Sequence, residues 1–382
     1  MKYCTIFLIG TMFAMSGCHG GRGTSMCATP LIYETNPYTL GQQAVTNTSV
    51  YYATLFLGAN NSYIEAKLDT GSADLVIGED NFRVGSYSRL GQVPFAFKHQ
   101  ANESIAFNAI DKVQVGCSFD TDILFDLTSS EQATPNILGL AFGDMKRQPH
   151  EEGREPFFDQ LVRKSDFNNL ISLALCGQRG GSHVLFGGID DIMSISIGKF
   201  IPIIVRSSYV VPALTLRRAD NKKIIGVFPS YDPEIQKGKK TIIDSGSSFN
   251  LFPTKMATAM AKEVAKAAQD RNFRFLSLDF FRTERSVTTK VAKFANRAQI
   301  RQLPSFEITF WGTDGKIKAL ELEPEHYLKE IDGGNPLVRT FAIRDTDGET
   351  ILGQPFIENH YLVFDRHDGR IGFGNIAAAC NQ

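Results

Sequence analysis

Lys67-Leu68-Asp69-Thr70-Gly71-Ser72 in the first half of the chain is answered by Ile242-Ile243-Asp244-Ser245-Gly246-Ser247 in the second. Further along, Ile137-Leu138-Gly139-Leu140 is answered by Ile351-Leu352-Gly353-Gln354. A lone Asp-Ser/Thr-Gly is a common turn tripeptide. Two copies, each with an apolar lead-in, a following Ser and a later Ile-Leu-Gly, mark a long and divergent internal repeat. The two carboxylates stand close to half a chain length apart, which predicts two related lobes with one Asp from each.

Around these motifs the chain reads mainly as β. Tyr51-Tyr52-Ala53-Thr54-Leu55-Phe56-Leu57 is rich in aromatic and β-branched residues and ends at Gly58. Short strands are expected again over 110–115, 184–186 and 361–364. Helical signals are few: a short helix over 156–162 and a longer Ala/Lys-rich one over 254–270, started by Pro253. Many strands with scarce helices predict a mostly β protein.

The 382 residues exceed what one core usually carries, so two lobes are expected, split near residue 206 into 38–206 and 207–382. The net charge of -1 gives no sign of a nucleic-acid partner. A nearly even count of 40 basic and 41 acidic residues argues for a mildly acidic working range rather than very strong acid. The seven His are scattered without His-Glu-x-x-His spacing, no Gly-x-Ser-x-Gly elbow occurs, and no metal or cofactor is implied.

Lys2 and the apolar run 6–15 predict an export signal over 1–17, too short to span a bilayer. Met15-Ser16-Gly17-Cys18 reads either as a lipid-attachment site at Cys18, giving a membrane tether, or as a plain secretory signal with an incidental Cys. Residues 18–37 read as a linker or tether. Four cysteines remain beyond the signal, and Cys27–Cys380 with Cys117–Cys176 is the favoured pairing of three.

Two carboxylates held close together provide what metal-free hydrolysis of a peptide bond needs. Like charges at that distance cannot both ionise, so one proton is shared and titration belongs to the pair. The ionised carboxylate then acts as base towards water and the protonated one as acid. Gly71 and Gly246 allow backbone N–H groups close to the carboxylates. Ser72 and Ser247 are expected to bond the outer carboxylate oxygens, and Thr70 and Ser245 to reach across to the opposite loop.

Over residues 38–375 the chain resembles the pepsin-like aspartic protease family. The resemblance is carried by Leu68-Asp69-Thr70-Gly71-Ser72-Ala73-Asp74-Leu75, Asn136-Ile137-Leu138-Gly139-Leu140-Ala141, Phe186-Gly187-Gly188-Ile189-Asp190, Ile243-Asp244-Ser245-Gly246-Ser247-Ser248 and Ile351-Leu352-Gly353-Gln354-Pro355-Phe356-Ile357. It implies a bilobal β fold, a cleft between the lobes, a six-stranded sheet joining them, and catalytic Asp69 and Asp244. It also implies a monomer acting on an extended peptide or protein substrate bound by strand-like hydrogen bonds.

Departures from the family pattern lie around the cleft. The family's flap Tyr falls on His99 in Phe97-Lys98-His99-Gln100, and the Trp that bonds it is replaced by Val76. Tyr209 resembles a residue of the cleft wall, with ordinary core packing as the competing reading. The leader after the signal is too short and neutral for an inhibitory prosegment. That suggests a bacterial member, periplasmic or an outer-membrane lipoprotein; otherwise the protein is secreted. The rival function is a pepsin-fold protein that binds or inhibits a partner without cleaving it. The Lys/Arg-rich stretch 271–301 has no family match and reads as a surface elaboration.

Overall fold

The computed structural model describes residues 26–35, 49–57, 62–78, 136–142, 155–165, 167–194, 196–235, 237–284, 290–331 and 335–380. It also gives the backbone strands 88–89, 95–99, 102–115 and 117–128. The signal, Cys18 and Gly116 lie outside the described residues.

The repeat seen in the sequence is a repeat of strand topology. In the first half, Ser62–Asp69 runs parallel to Ile137–Gly139, which sets Leu68 beside Leu138 and Asp69 beside Gly139. Leu75–Gly78 then packs antiparallel to Ile137–Gly139 and parallel to Cys117–Thr128. The second half repeats each pairing. Thr241–Ile243 is parallel to Thr350–Leu352, and Asn250–Pro253 is antiparallel to that strand and parallel to Ile343–Thr346. Leu75–Gly78 and Ile137–Gly139 are buried at every position, so they show no alternation.

The Ile-Leu-Gly motifs recur because each glycine presses on the loop that follows an Asp motif. A Cβ on Gly139 would stand 2.5 Å from the Asp74 nitrogen, and one on Gly353 would stand 2.3 Å from the Phe249 carbonyl oxygen. Both distances are inside van der Waals contact, so only glycine fits.

Six antiparallel strands join the halves in the order Lys199–Pro202, Arg370–Asn375, His360–Asp365, Leu170–Ala174, His183–Phe186 and Cys27–Thr35. This is the joining sheet that the family resemblance implied. Part of the stretch expected as a tether is therefore core structure. Cys27, Thr29 and Leu31 are buried at alternate positions, and the strand changes partner at Pro30. A proline donates no hydrogen bond, and its presence in the run hid the strand from sequence.

The favoured cysteine pairing is overturned. Cys176 is bonded to Cys380, across a Cα separation of 5.4 Å, and Cys27 is in a different disulfide. Cys176 follows Leu170–Ala174, whose neighbour is His360–Asp365, and the chain end folds back over that pair of strands. Ala174, Cys176, Tyr361, Val363, Ala379 and Cys380 pack there in one small apolar cluster.

The long helix is Thr254–Asp270, where Met256, Met260, Ala261, Val264 and Ala268 are buried at helical spacing. The shorter one is Phe157–Lys164. The stretch 271–301 is not a surface elaboration. Phe273, Leu276, Phe280, Phe281, Phe294 and Ile300 lie in the main apolar core, and exposed basic residues stand between them. Their irregular spacing gives no period by which sequence could detect them.

Candidate active site

Asp69 closes its strand, and the chain turns at once so that the Gly71 N–H donates to Asp69 Oδ1 at 2.8 Å. Gly246 N–H donates to Asp244 Oδ1 at 2.7 Å in the same way. Each glycine also faces the opposite carboxylate. A Cβ on Gly71 would stand 2.8 Å from Asp244 Cγ, and one on Gly246 would stand 2.5 Å from Asp69 Oδ1. The structure thus brings the two Asp side chains together.

The serines differ. Ser72 Oγ donates to Asp69 Oδ2 at 2.8 Å, as expected. Ser247 Oγ instead donates to the Phe249 carbonyl at 3.0 Å. A hydroxyl has one proton, and that carbonyl takes it before the Asp244 carboxylate can.

The loops are clamped by reciprocal bonds. Ser245 N–H donates to Thr70 Oγ1 at 2.9 Å, and Thr70 N–H donates to Ser245 Oγ at 3.0 Å. The hydroxyls pass their own protons on, Thr70 to the Ile243 carbonyl at 3.1 Å and Ser245 to the Leu68 carbonyl at 3.0 Å. All four bonds are buried, so each loop's backbone is satisfied by the other loop.

A further buried chain, not anticipated from sequence, supports the second loop. Gln354 Nε2 donates to the Ser245 carbonyl at 2.9 Å and its Oε1 accepts from Lys329 Nζ at 2.6 Å. Lys329 pairs with Glu358 at 3.2 Å, and Glu358 accepts from Tyr51 in the first half at 2.7 Å. Burial pulls the Lys329 ammonium below its usual range, against the pull of Glu358. The one local signal was Gln354, directly after Ile-Leu-Gly.

Burial is the main cause that pushes the Asp244 carboxyl up, to about 8. The charge of Asp69 and a hydrogen bond with it act in the same direction, while Lys67 and the Gly246 N–H oppose them. With Asp69 this close, the pair keeps one proton at neutral pH, and that titration belongs to the dyad.

Phe97 and His99 lie on Phe95–His99, which forms a hairpin with Asn102–Val115. Phe97 pairs with Ser104 and His99 with Asn102, so His99 is the last paired residue of its strand. The side chains of this hairpin lie outside the described residues. Val76, where the family has Trp, is buried in its strand.

Tyr209 lies between the halves rather than on an open wall, with no exposed surface. Its hydroxyl donates to the Leu140 carbonyl at 2.7 Å, and its carbonyl accepts from Ile243 N–H at 3.1 Å. The rings of Phe364 and Phe142 pack at a tilt against its ring, with centroids 4.3 and 5.3 Å away. Burial raises its phenol above the usual range.

Two related β halves, each delivering an Asp to one clamped pair of loops, define the pepsin-like aspartic protease architecture. The comparison with known families agrees: the chain belongs to the eukaryotic aspartyl protease family, whose model matches residues 50–376. It is similar to the embryonic pepsinogen of Gallus gallus, at 23% identity over 344 residues that cover 84% of this chain and 79% of that protein. It is also similar to pepsin A of Rhinolophus ferrumequinum, at 24% identity over 353 residues covering 86% and 81%.

Proposed function

We propose that the protein is an aspartic endopeptidase in which Asp69 and Asp244 activate water against a peptide bond. The observation that carries this reading is the mutual approach of the two carboxylates through Gly71 and Gly246, each bonded by its own loop's glycine N–H. The halves, divided near residue 206, form the walls of the cleft.

The two carboxylates have unequal surroundings, and this assigns their roles. Asp69 accepts from both the Gly71 N–H and the Ser72 hydroxyl, which leave it placed as the acceptor of the pair. Asp244 accepts one backbone N–H and is held protonated by burial beside Asp69. Asp69 draws a proton from a water as the water attacks the scissile carbonyl carbon. Asp244 donates its proton to the developing carbonyl oxygen. In the collapse of the tetrahedral diol the C–N bond breaks as Asp69 passes the proton it took from water to the nitrogen and Asp244 takes back a hydroxyl proton, so the dyad again shares one.

The substrate is an extended peptide segment. The Cys176–Cys380 disulfide favours an exported protein, because such bonds persist in oxidising compartments. Among the described residues no helix is long and apolar enough to cross a membrane. A lipid tether at Cys18 belongs to the same proposal, and palmitate labelling of wild type but not Cys18→Ser is its test.

The deciding experiment is cleavage of a denatured protein mixture from about pH 3 to about pH 7, with wild type, Asp69→Asn and pepstatin. Cleavage that is blocked by pepstatin and lost in the variant supports the dyad. Cleavage that survives the substitution overturns it, and no cleavage at any pH favours a binding protein.

A further inference from the structure

Lys67 stands two residues before Asp69 on the same strand, and alternate residues of a strand share a face. Ala66 and Leu68 point into the main apolar core, so Lys67 and Asp69 face the other way. That second face is covered: Lys67 is 6% exposed, and Ile137 and Val76 beside it are 1% and 2% exposed. Neither Ile137 nor Val76 joins the main core cluster, so Lys67 stands on the dyad side of the sheet, between Ile137 on one neighbouring strand and the half-buried Tyr52 on the other.

A buried ammonium is costly unless it is paired. Lys329, only 1% exposed, has Glu358 at 3.2 Å and Gln354 at 2.6 Å. Lys67 has no comparable ion-pair partner among the described residues, although its charge is felt at Asp244. Nor does the motif itself call for a cation. The equivalent place in the second half, two residues before Asp244 and paired in the same parallel register, is Ile242.

We propose that Lys67 determines specificity: its ammonium receives an acidic substrate side chain, Asp or Glu, adjoining the scissile bond. The inference rests on the dyad cleaving peptides, and it adds a preference that the dyad alone does not supply. A charge-assisted pair in a site shielded from water discriminates an ionised side chain from its neutral isostere by about tenfold or more. The preference fades as the medium falls below the ordinary glutamate range, about pH 4.3, because the substrate carboxylate is then protonated.

The test compares peptides that differ only in Glu, Gln or Leu beside the scissile bond, cleaved by wild type, Lys67→Met and Lys67→Arg. Circular dichroism verifies that each variant is folded. The expected result is a Glu-over-Gln ratio of about ten in kcat/KM for wild type, kept by Lys67→Arg and reduced to about one by Lys67→Met. The Leu peptide should still be cleaved by Lys67→Met, which shows the dyad intact. A ratio of about one in wild type, or a ratio unchanged in Lys67→Met, overturns the proposal. So does a displaced pH profile with the ratio unchanged, which would make Lys67 a partner of the dyad and not of the substrate. If wild type cleaves none of the peptides, the protease reading fails instead. Equilibrium binding of the Glu and Gln peptides to wild type and Lys67→Met then decides: a Glu preference lost with Lys67 upholds the inference, and equal binding overturns it.

Discussion

Thr70 and Ser245 are each other's backbone partner: Ser245 N–H bonds the Thr70 hydroxyl at 2.9 Å, and Thr70 N–H bonds the Ser245 hydroxyl at 3.0 Å. The two residues come from opposite halves of the chain, so this contact sets how close Asp69 and Asp244 come. Replacing either hydroxyl leaves a buried N–H without its acceptor, at a cost of about 1–3 kcal/mol. Urea unfolding of Thr70→Val, Ser245→Ala and the double variant should give a double-variant loss smaller than the sum of the single losses. Simple additivity would show that the two hydroxyls do not act as one clamp.

Asp244 ties stability to pH in the direction opposite to a salt-bridged carboxylate. An aspartate in the unfolded chain releases its proton near about pH 3.9, whereas the buried Asp244 carboxyl keeps its proton to about 8. The folded state therefore gains most below about pH 3.9, and the gain is lost as pH rises towards about 8. Asp244→Asn retains the Oδ1 acceptor for Gly246 N–H but removes the titration. Its melting temperature relative to wild type should rise between about pH 4 and about pH 7.5 by several degrees. A difference that stays flat across that range would show that the pair does not hold a proton through it.

Gly246→Ala places a methyl group where only 2.5 Å separates it from Asp69 Oδ1. The loop must shift, and with it both carboxylates. A displacement near 1 Å is enough to cost about a hundredfold in rate. Peptide cleavage should fall by about that factor with a smaller proportional change in KM.

The unequal serines predict unequal variants. Ser72→Ala removes a hydroxyl that bonds the Asp69 carboxylate, so kcat should fall about tenfold. Ser247→Ala removes a bond to the Phe249 carbonyl and leaves the Asp244 carboxylate's bond from Gly246 intact. Its kcat should stay within about threefold of wild type, with the loss appearing in thermal stability instead.

What the sequence determined by itself is what short-range geometry encodes. A strand that ends at Asp-Thr/Ser-Gly-Ser must turn where glycine lets backbone N–H groups meet a carboxylate, and Ile-Leu-Gly must present a glycine where that loop is pressed. The first constraint lies within a few residues, and the second shows as a short motif repeated at the matching place in each half, so two copies gave away the β halves and located Asp69, Asp244 and the Thr70–Ser245 pair. The tertiary structure alone decided the Cys176–Cys380 bond, the strand at Cys27–Thr35, the Tyr51–Glu358–Lys329–Gln354 chain and the destination of the Ser247 hydroxyl. It also decided that Lys67 is buried on the dyad side of its strand while Ile242 holds the equivalent place. Most of these depend on which distant residue arrives alongside, or on which of several nearby acceptors the folded loop offers. Local periodicity carries no record of either, because the competing arrangements differ only in long-range contacts.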